Sequence, residues 1–182
     1  MLQRGSEAKF MPGVWVFAGG VVEEADREAA KAAPIDGVDI EELAHRICGA
    51  RELGEEGGLE ITGADLHPWS RWITPEQVPM RFDTRFYVGL APPHAKPEPD
   101  NVEMQDARWV EPLTALTDFA EGTFELSFPT VKHLEELRDH PDADSVLAEA
   151  AGRPVEPLTP KVVATEDSFD VLLPGEPGYD EA

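Results

Sequence analysis

The sequence predicts a single α/β domain in which a mixed β-sheet packs against helices. Short runs of β-forming residues alternate with helix-forming segments, as is typical of this fold class. Residues 40–56 carry apolar side chains at helical spacing. Of the 182 residues, 41% are hydrophobic, which is enough to bury an ordinary core. We therefore assign residues 1–182 to one domain.

The residue pattern places the elements in order along the chain. Runs rich in β-branched and aromatic residues predict strands, and helix-forming residues at a 3.6-residue period predict helices. Asp39 is expected to cap the longest helix, Gly58 to end it, and Thr130 to cap a later one. The predicted strands cover residues 13–22, 59–61, 67–73, 81–91 and 107–112, and the predicted helices cover residues 23–31, 40–56, 131–140 and 143–152.

Two stretches are predicted to be irregular. Residues 92–101 hold four prolines, whose missing amide donors and fixed dihedrals favour an exposed, projecting loop. From about Arg153 the chain contains several prolines and two extended apolar runs, at 161–165 and 169–174. We expect this C-terminal tail to wrap around the domain.

The charge of the chain limits its partners. With 15 basic and 37 acidic residues, its net charge of −22 repels nucleic-acid backbones and anionic lipids, so we expect neither nucleic acid nor a membrane as a partner. An anionic substrate would need cations as intermediaries. The single cysteine, Cys48, allows no intrachain disulfide and is expected to be packed and inert. No stretch resembles a signal peptide or a membrane helix, so we expect a cytoplasmic protein.

Three glutamates crowd the predicted end of the longest helix. Glu52 lies three residues before Glu55 and four before Glu56, so the three side chains can converge. The helix dipole disfavours negative charge at this end, so a purely structural surface would avoid the cluster. Oxygen ligands without histidine or thiolate favour magnesium or manganese over zinc. Arg51, four residues before Glu55, can brace that carboxylate with a forked hydrogen bond.

The segment RELGEEGGL at 51–59 resembles the core of the Nudix box, with the fixed residues and both aliphatic positions matched. The glycine pair of that box resembles residues 19–20 in VFAGGVVEEAD, where Ala18 stands in place of the usual proline. The upstream glutamate of the uninterrupted box would fall on Leu43. We infer that an insertion at about 21–39 splits the box between its loop and its helix.

Split boxes of this kind resemble the branch of the Nudix superfamily that contains the peroxisomal coenzyme A diphosphatase and its bacterial relatives. The stretches RFDTRFYV, VEMQDARWVEPLTAL, LSFPTVKHLEEL and LLPGEPGYD agree with that branch. The resemblance implies an α/β/α sandwich with a mixed sheet. Relatives usually have more strand before the position of Met1, so part of the first strand is expected to be missing. The C-terminal Asp-Glu-Ala is no peroxisomal signal, which favours a cytoplasmic protein.

The resemblance also implies a chemistry, namely metal-dependent hydrolysis of the pyrophosphate bond in a nucleoside diphosphate derivative. Coenzyme A or acyl-coenzyme A is the first substrate expected. Glu55 and Glu56 would hold Mg²⁺ or Mn²⁺ with help from Glu52. The general base would be Glu52 or Glu103, two alternatives that the sequence leaves open.

Further positions are implied to support this site. Gly20, next to Gly19, would let the backbone pass close to the helix carboxylates, and Gly58 would end the helix in a conformation that a side chain opposes. Arg81 and Arg85 would either hold a substrate phosphate or pair with nearby acids.

Several alternatives stay open at the level of sequence. Glu103 is either an additional catalytic carboxylate or a surface acid, and the four tryptophans either stack on a base or pack in the core. The substrate is alternatively a dinucleotide or a nucleotide sugar, and a non-catalytic nucleotide-binding domain is the alternative of a different class. A homodimer is also left open.

Overall fold

The structure is a computed structural model and describes residues 1–164 and 169–181. The strands are β1 (Leu2–Arg4), β2 (Trp15–Val16), β3 (His67–Ile73), β4 (Asp83–Val88), β5 (Met104–Ala107), β6 (Pro157–Leu158), β7 (Lys161–Ala164) and β8 (Phe169–Leu172). The helices are α1 (Glu24–Ala32), α2 (Ile40–Gly57), α3 (Pro112–Ala120), α4 (Phe128–Leu137) and α5 (Ala143–Ala150), and a 3-10 turn covers Gly63–Asp65.

The strands pair in both directions, which confirms the expected mixed α/β architecture. β1 lies between β2 and β5 and is antiparallel to both. β3 and β4 form an antiparallel hairpin, and β6 joins the other edge of β3 in parallel. β7 and β8 form a separate antiparallel pair in the C-terminal tail.

The long helix α2 is the element that carries the glutamate cluster, and it begins and ends as the sequence predicts. The Asp39 side chain accepts hydrogen bonds from the amides of Glu41 and Glu42 at 2.9 and 3.2 Å. Gly58 adopts φ +65° at the C-cap, and its amide donates to Gly54 O at 3.1 Å. This left-handed conformation favours glycine, because a Cβ would crowd the backbone.

The core has two buried clusters that fix α2 and the β1–β2 region. Leu43 and Ala44 of α2 pack against Ala30 of α1, so α1 is folded onto the long helix. Trp15 of β2 stacks on Phe124, with ring centroids 4.5 Å apart, and this cluster also includes Ala115 and Leu134 from α3 and α4. Burial of such side chains contributes roughly 1.5–3 kcal/mol each.

Several element boundaries differ from the sequence prediction. The strand predicted at 13–22 is confined to β2, and residues 59–61 are not a strand. α4 begins three residues earlier than predicted, and its N-cap is Ser127 rather than Thr130. The reason is Pro129, whose fixed φ is preorganised for the first turn of a helix. The helix α3 was not predicted, since its sequence PLTALTDFA contains two threonines and a phenylalanine of modest helix propensity.

The proline-rich loop does not project along its whole length, so this prediction was wrong for its second half. The amide of Glu98 donates to Gly57 O at 2.9 Å, and the amide of Asp100 donates to Glu56 O at 3.2 Å. The last carbonyls of a helix lack hydrogen-bond donors within the helix, and here two amides of the loop donate to them. The loop therefore docks on the end of α2, next to the glutamate cluster.

Strand β1 and the described part of the C-terminal tail both pack on the domain. β1 starts at Leu2 and pairs on both sides, and the Leu2 side chain lies against Gly57 of α2. In the tail predicted from Arg153, β6 pairs with β3, and Tyr179 donates its hydroxyl hydrogen to Thr159 O at 2.8 Å. Residues 165–168 and 182 of that tail lie outside the described residues. No helix in the described part of the chain has the length and apolarity needed to cross a membrane.

Candidate active site

The last turns of α2 hold Glu52, Glu55 and Glu56 with Arg51 beside them. Arg51 Nη1 donates to Glu52 Oε1 and to Glu55 Oε2, both at 2.9 Å. Glu55 is exposed, whereas Glu52 is partly buried. A guanidinium has several donors in a fixed plane, so Arg51 orients two of the three carboxylates at once.

A third carboxylate, from α1, also contacts this arginine. Arg51 Nε donates to Asp26 Oδ1 at 3.1 Å, and Arg51 Nη2 donates to Asp26 Oδ2 at 3.2 Å. Asp26 is 2% exposed and also accepts a hydrogen bond from the amide of Glu23 at 2.9 Å. Burial alone would raise the pKa of Asp26, but the hydrogen bonds from Arg51 and the Glu23 amide hold it below its ordinary value.

Sequence reasoning missed Asp26, because the upstream acid of the box was sought at Leu43. The available signal was an acidic residue soon after the Gly19-Gly20 pair. Leu43 is buried in the core, where it packs against Ala30. The same packing brings α1 against α2 and places Asp26 on the arginine.

Glu56 is the buried member of the cluster, with 7% of its surface exposed. Its Oε2 accepts a hydrogen bond from the amide of Gly19 at 3.0 Å. Desolvation raises the pKa of Glu56 to about 7; the Gly19 hydrogen bond and Arg4 oppose this rise, and the charges of Glu52 and Glu103 add to it. The Glu56 charge is therefore poorly compensated by the protein itself.

The two loop glycines contribute in different ways. A Cβ built on Gly20 would overlap the carboxylate of Glu52, whereas a Cβ on Gly19 would meet nothing within 4 Å. Gly20 thus allows the loop to approach the helix carboxylates, and Gly19 presents its amide to Glu56.

Glu103 lies just before β5, in a turn fixed by Asp100. The Asp100 carboxylate accepts hydrogen bonds from the amides of Val102, Glu103 and Met104 at 2.8–3.2 Å. The carbonyl of Glu103 accepts a hydrogen bond from the amide of Gly5 at 2.9 Å. A cavity of about 320 Å³ lies here, lined by the cations of Arg4 and Lys9, the carboxylates of Glu7 and Glu103, and Gly5, Ala8 and Val102. We call it the cationic cavity after Arg4 and Lys9.

The cations of this cavity are further candidates that sequence reasoning missed. Most basic residues of the chain pair with a carboxylate within 4.0 Å, for example Arg51 with Asp26 and Arg85 with Glu42. Arg4 and Lys9 are in no such pair within residues 1–164 and 169–181; the Arg4 Nε donates instead to a carbonyl, Phe10 O, at 2.9 Å. Arg4 is the last residue of β1 and Lys9 lies in the loop after it, and no charge pattern in the sequence marks either of them.

The structure does not bring Arg81 and Arg85 to the glutamate cluster. Arg85 Nη1 donates to Glu42 at 2.6 Å. Glu42 precedes Glu52 by ten residues on α2, a separation of about 15 Å along the axis. Arg81 Nε donates to Thr74 O at 3.2 Å. Arg85 therefore has the acidic partner that was the alternative to phosphate binding.

The tryptophans divide between core and surface. Trp15, Trp69 and Trp72 are buried. Trp109 is 59% exposed, and its Nε1 donates to Ala95 O at 3.0 Å in the proline-rich loop. Trp109 is thus the tryptophan whose ring face remains accessible to a base.

The donor chemistry of the cluster fits a hard divalent cation. Glu52, Glu55 and Glu56 offer carboxylate oxygens, and Gly20 leaves open the space next to Glu52. The raised pKa of Glu56 marks a buried carboxylate that a bound cation would keep charged. Within the part of the chain that the structure describes, no three His, Cys, Asp or Glu side chains are already gathered as metal ligands. The cluster therefore fits a divalent cation in the type of donor atom it offers. Its carboxylates are oriented mainly by Arg51.

Comparison with known proteins places this geometry in context. No family model matches the chain. It is 28% identical over 216 residues to the putative nudix hydrolase 7 of Caenorhabditis elegans, covering 98% of this chain and 68% of that protein. It is 24% identical over 267 residues to the acyl-coenzyme A diphosphatase NUDT19 of Homo sapiens, covering 98% of this chain and 71% of that protein.

A solved structure shares the fold. The crystal structure of a NUDIX hydrolase from Alicyclobacillus acidocaldarius matches with a TM-score of 0.71 at 24% sequence identity, covering 81% of this chain and 86% of that one. This likeness confirms the α/β fold implied by the resemblance.

Proposed function

The chain belongs to the Nudix hydrolase superfamily, and from that premise we propose that it hydrolyses the pyrophosphate bond of coenzyme A or an acyl-coenzyme A. The observation that carries the proposal is the braced cluster on α2, where Arg51 orients Glu52 and Glu55 while the Gly19 amide holds the buried Glu56. The similarity to a protein named as an acyl-coenzyme A diphosphatase, over 98% of this chain, favours this substrate class.

Glu52, Glu55 and Glu56 are the residues that would hold Mg²⁺ or Mn²⁺. When bound, such a cation offsets charge on the diphosphate oxygens and lowers the pKa of a bound water. The protein supplies orientation: Arg51 fixes two carboxylates, and Gly20 keeps the loop clear of Glu52. Preorganised groups of this kind need not rearrange during the reaction, which is the basis of their effect on rate.

We assign the role of general base to Glu103 rather than Glu52. The carboxylate of Glu52 accepts a hydrogen bond from Arg51 Nη1 at 2.9 Å and lies next to Gly20, so it is already held in place by the protein. Glu103 is exposed in the cationic cavity, and its charge acts on Glu56. Glu103→Gln should therefore lower kcat, whereas Glu7→Gln, which changes another carboxylate of the same cavity, should not.

The cationic cavity is the proposed place for substrate phosphate. Arg4 and Lys9 provide positive charge beside Glu103 in a chain of net charge −22. Substrate phosphates are strong partners for such cations, because charge-assisted hydrogen bonds are stronger than neutral ones. We assign Arg85, which is paired with Glu42, a structural role and not a role in phosphate binding.

Hydrolysis of a substrate panel tests the proposal. The panel contains coenzyme A, acetyl-coenzyme A, a dinucleotide and a nucleotide sugar, each assayed with magnesium, with manganese and with chelator. We expect metal-dependent cleavage that favours the coenzyme A compounds. Preference for another compound would retain the pyrophosphatase chemistry and reject the substrate, and no cleavage by folded protein would favour a binding domain without turnover.

A further inference from the structure

Asp100, at the end of the proline-rich loop, contacts both α2 and the turn that carries Glu103. Its main-chain amide donates to Glu56 O at 3.2 Å. Its carboxylate accepts hydrogen bonds from the amides of Val102, Glu103 and Met104 at distances of 2.8–3.2 Å. The same residue is therefore bonded through its backbone to the metal-binding cluster and through its side chain to the segment of the proposed general base.

The main chain of Glu103 is held at both of its polar groups. Its amide donates to Asp100 Oδ1 at 3.1 Å and to Asp100 Oδ2 at 3.2 Å. Its carbonyl accepts a hydrogen bond from the amide of Gly5 at 2.9 Å. Met104, the next residue, begins β5 and is 1% exposed, so it anchors this segment in the core. The backbone of Glu103 therefore has little freedom to move.

The carboxylate of Glu103, in contrast, is exposed and makes no hydrogen bond or ion pair with any residue that the structure describes. Its charge still contributes to the raised pKa of Glu56, so the two carboxylates lie near each other. Two like charges repel, so their own interaction does not favour this arrangement. The position of the Glu103 side chain is therefore set by the backbone that carries it.

We propose that Asp100 is a positioning residue that holds Glu103 at a fixed place relative to Glu56. The inference rests on the proposed function in that Glu103 is the general base. A general base must lie within hydrogen-bond reach of the proton that it removes, so a small displacement of its backbone lowers the rate strongly. Asp100 acts through main-chain groups, because its carboxylate binds three amides and its own amide binds a carbonyl.

The first test measures metal-dependent hydrolysis of whichever compound of the substrate panel is cleaved fastest. Asp100→Ala removes the acceptor of the three amides but keeps the amide that donates to Glu56 O. We expect kcat to fall by about tenfold or more, with a smaller change in KM. Asp100→Asn keeps Oδ1, which accepts all three amides, so its kcat should stay within about threefold of the wild-type value.

Asp142→Ala is the matched control. The Asp142 carboxylate accepts a hydrogen bond from the amide of Ser145 at 2.9 Å at the start of α5, so the variant removes a similar contact from another turn. Its kcat should equal that of the wild type.

A double-mutant cycle with Glu103→Gln separates positioning of the base from a general loss of structure. If Asp100 acts through Glu103, Asp100→Ala should lower kcat by less than about twofold in the Glu103→Gln background. A reduction by the same factor in both backgrounds would overturn the inference. An Asp100→Ala protein as active as the wild type would also overturn it.

A readout without turnover separates this inference from the proposed function. Hydrogen exchange followed by mass spectrometry reports the amides of residues 102–104. We expect these amides to exchange faster in Asp100→Ala than in the wild type and in Asp100→Asn, with exchange in α2 unchanged. If exchange is faster but no panel compound is cleaved, the positioning contact is supported and the proposed reaction fails. If cleavage is observed but exchange is equal in all three proteins, the reaction stands and the inference is overturned.

Discussion

Asp26 on α1 accepts two hydrogen bonds from Arg51 on α2, at 3.1 and 3.2 Å. The guanidinium that Asp26 holds in place also donates to Glu52 and Glu55. The helix α1 is therefore part of the support of the candidate site. Because Asp26 is buried and contacts the cluster through Arg51, we treat it as a positioning residue.

Asp26→Asn is expected to lower kcat by about tenfold or more with little change in KM, because small displacements of catalytic groups reduce rate strongly. It should also lower the free energy of unfolding by about 1.5–3 kcal/mol, the usual range for a hydrogen bond to a charged group. Steady-state kinetics at a temperature where both proteins are folded checks the first effect. Glu24→Gln, on the exposed face of the same helix, is the control. Loss of stability with unaltered kcat would reduce Asp26 to a purely structural role.

Gly20→Ala is expected to reduce activity by roughly 10- to 100-fold, because the new methyl group would displace the Glu52 carboxylate. Gly19→Ala is the matched control, since a Cβ there meets nothing within 4 Å and the amide that donates to Glu56 is kept. The comparison requires only kcat and a melting curve for each variant. Equal activity of the two variants would contradict the close approach of this loop to Glu52.

Substitutions of Arg85 and Lys9 should have opposite consequences. Arg85→Gln removes the ion pair with Glu42, so we expect a loss of about 1 kcal/mol in unfolding free energy and an unchanged KM. Lys9→Gln removes an exposed charge of the cationic cavity, so we expect unchanged stability and a KM raised by roughly fivefold. Urea unfolding and initial-rate kinetics on both variants distinguish the roles. If KM increased for Arg85→Gln but not for Lys9→Gln, the substrate phosphate would be bound by Arg85 of β4 and not by the cationic cavity.

His133 should make the protein less stable in mild acid. It is 3% exposed, with Nδ1 2.6 Å from Pro129 O and Nε2 2.5 Å from Ser70 Oγ. Burial lowers the pKa of His133 below 6.5, so the unfolded chain takes up the proton first; stability from this group is complete above that pH and is lost as the pH falls.

Urea unfolding at about pH 7.5 and about pH 5.5 checks this expectation in the wild type and in His133→Gln, with chelator present. The wild type should lose more unfolding free energy than the variant over this interval. Glu56, whose pKa is raised to about 7, contributes with the opposite sign in both proteins, so the difference between them reports His133. An equal loss in both proteins would show that His133 does not titrate differently on folding.

Local sequence signals were sufficient for the elements that carry the site. The N-cap of Asp39, the left-handed Gly58 and the spacing of the glutamates predict α2 and its cluster, and the structure has all three. These features depend on residues close together in the chain, so their physical causes can be read locally.

Features that depend on distant contacts could not be predicted in this way. The bond from Asp26 to Arg51 requires α1 to fold onto α2, and the docking of Glu98 on Gly57 O requires a loop to return to the helix end. Neither contact leaves a period or spacing in the sequence. Arg4 became a candidate only because the fold places it next to Glu103, with no ion pair to any residue that the structure describes.

Glu56→Gln tests whether the α2 carboxylates carry out metal-dependent hydrolysis. The variant keeps the shape of the side chain and removes its charge; Glu60→Gln, just beyond the helix and exposed, is the matched control. We predict that Glu56→Gln lowers metal-dependent kcat by at least about 100-fold. Its melting temperature above pH 7 with chelator should be unchanged or higher, because burial disfavours the charged Glu56. Near-normal turnover by a folded Glu56→Gln protein would contradict the account.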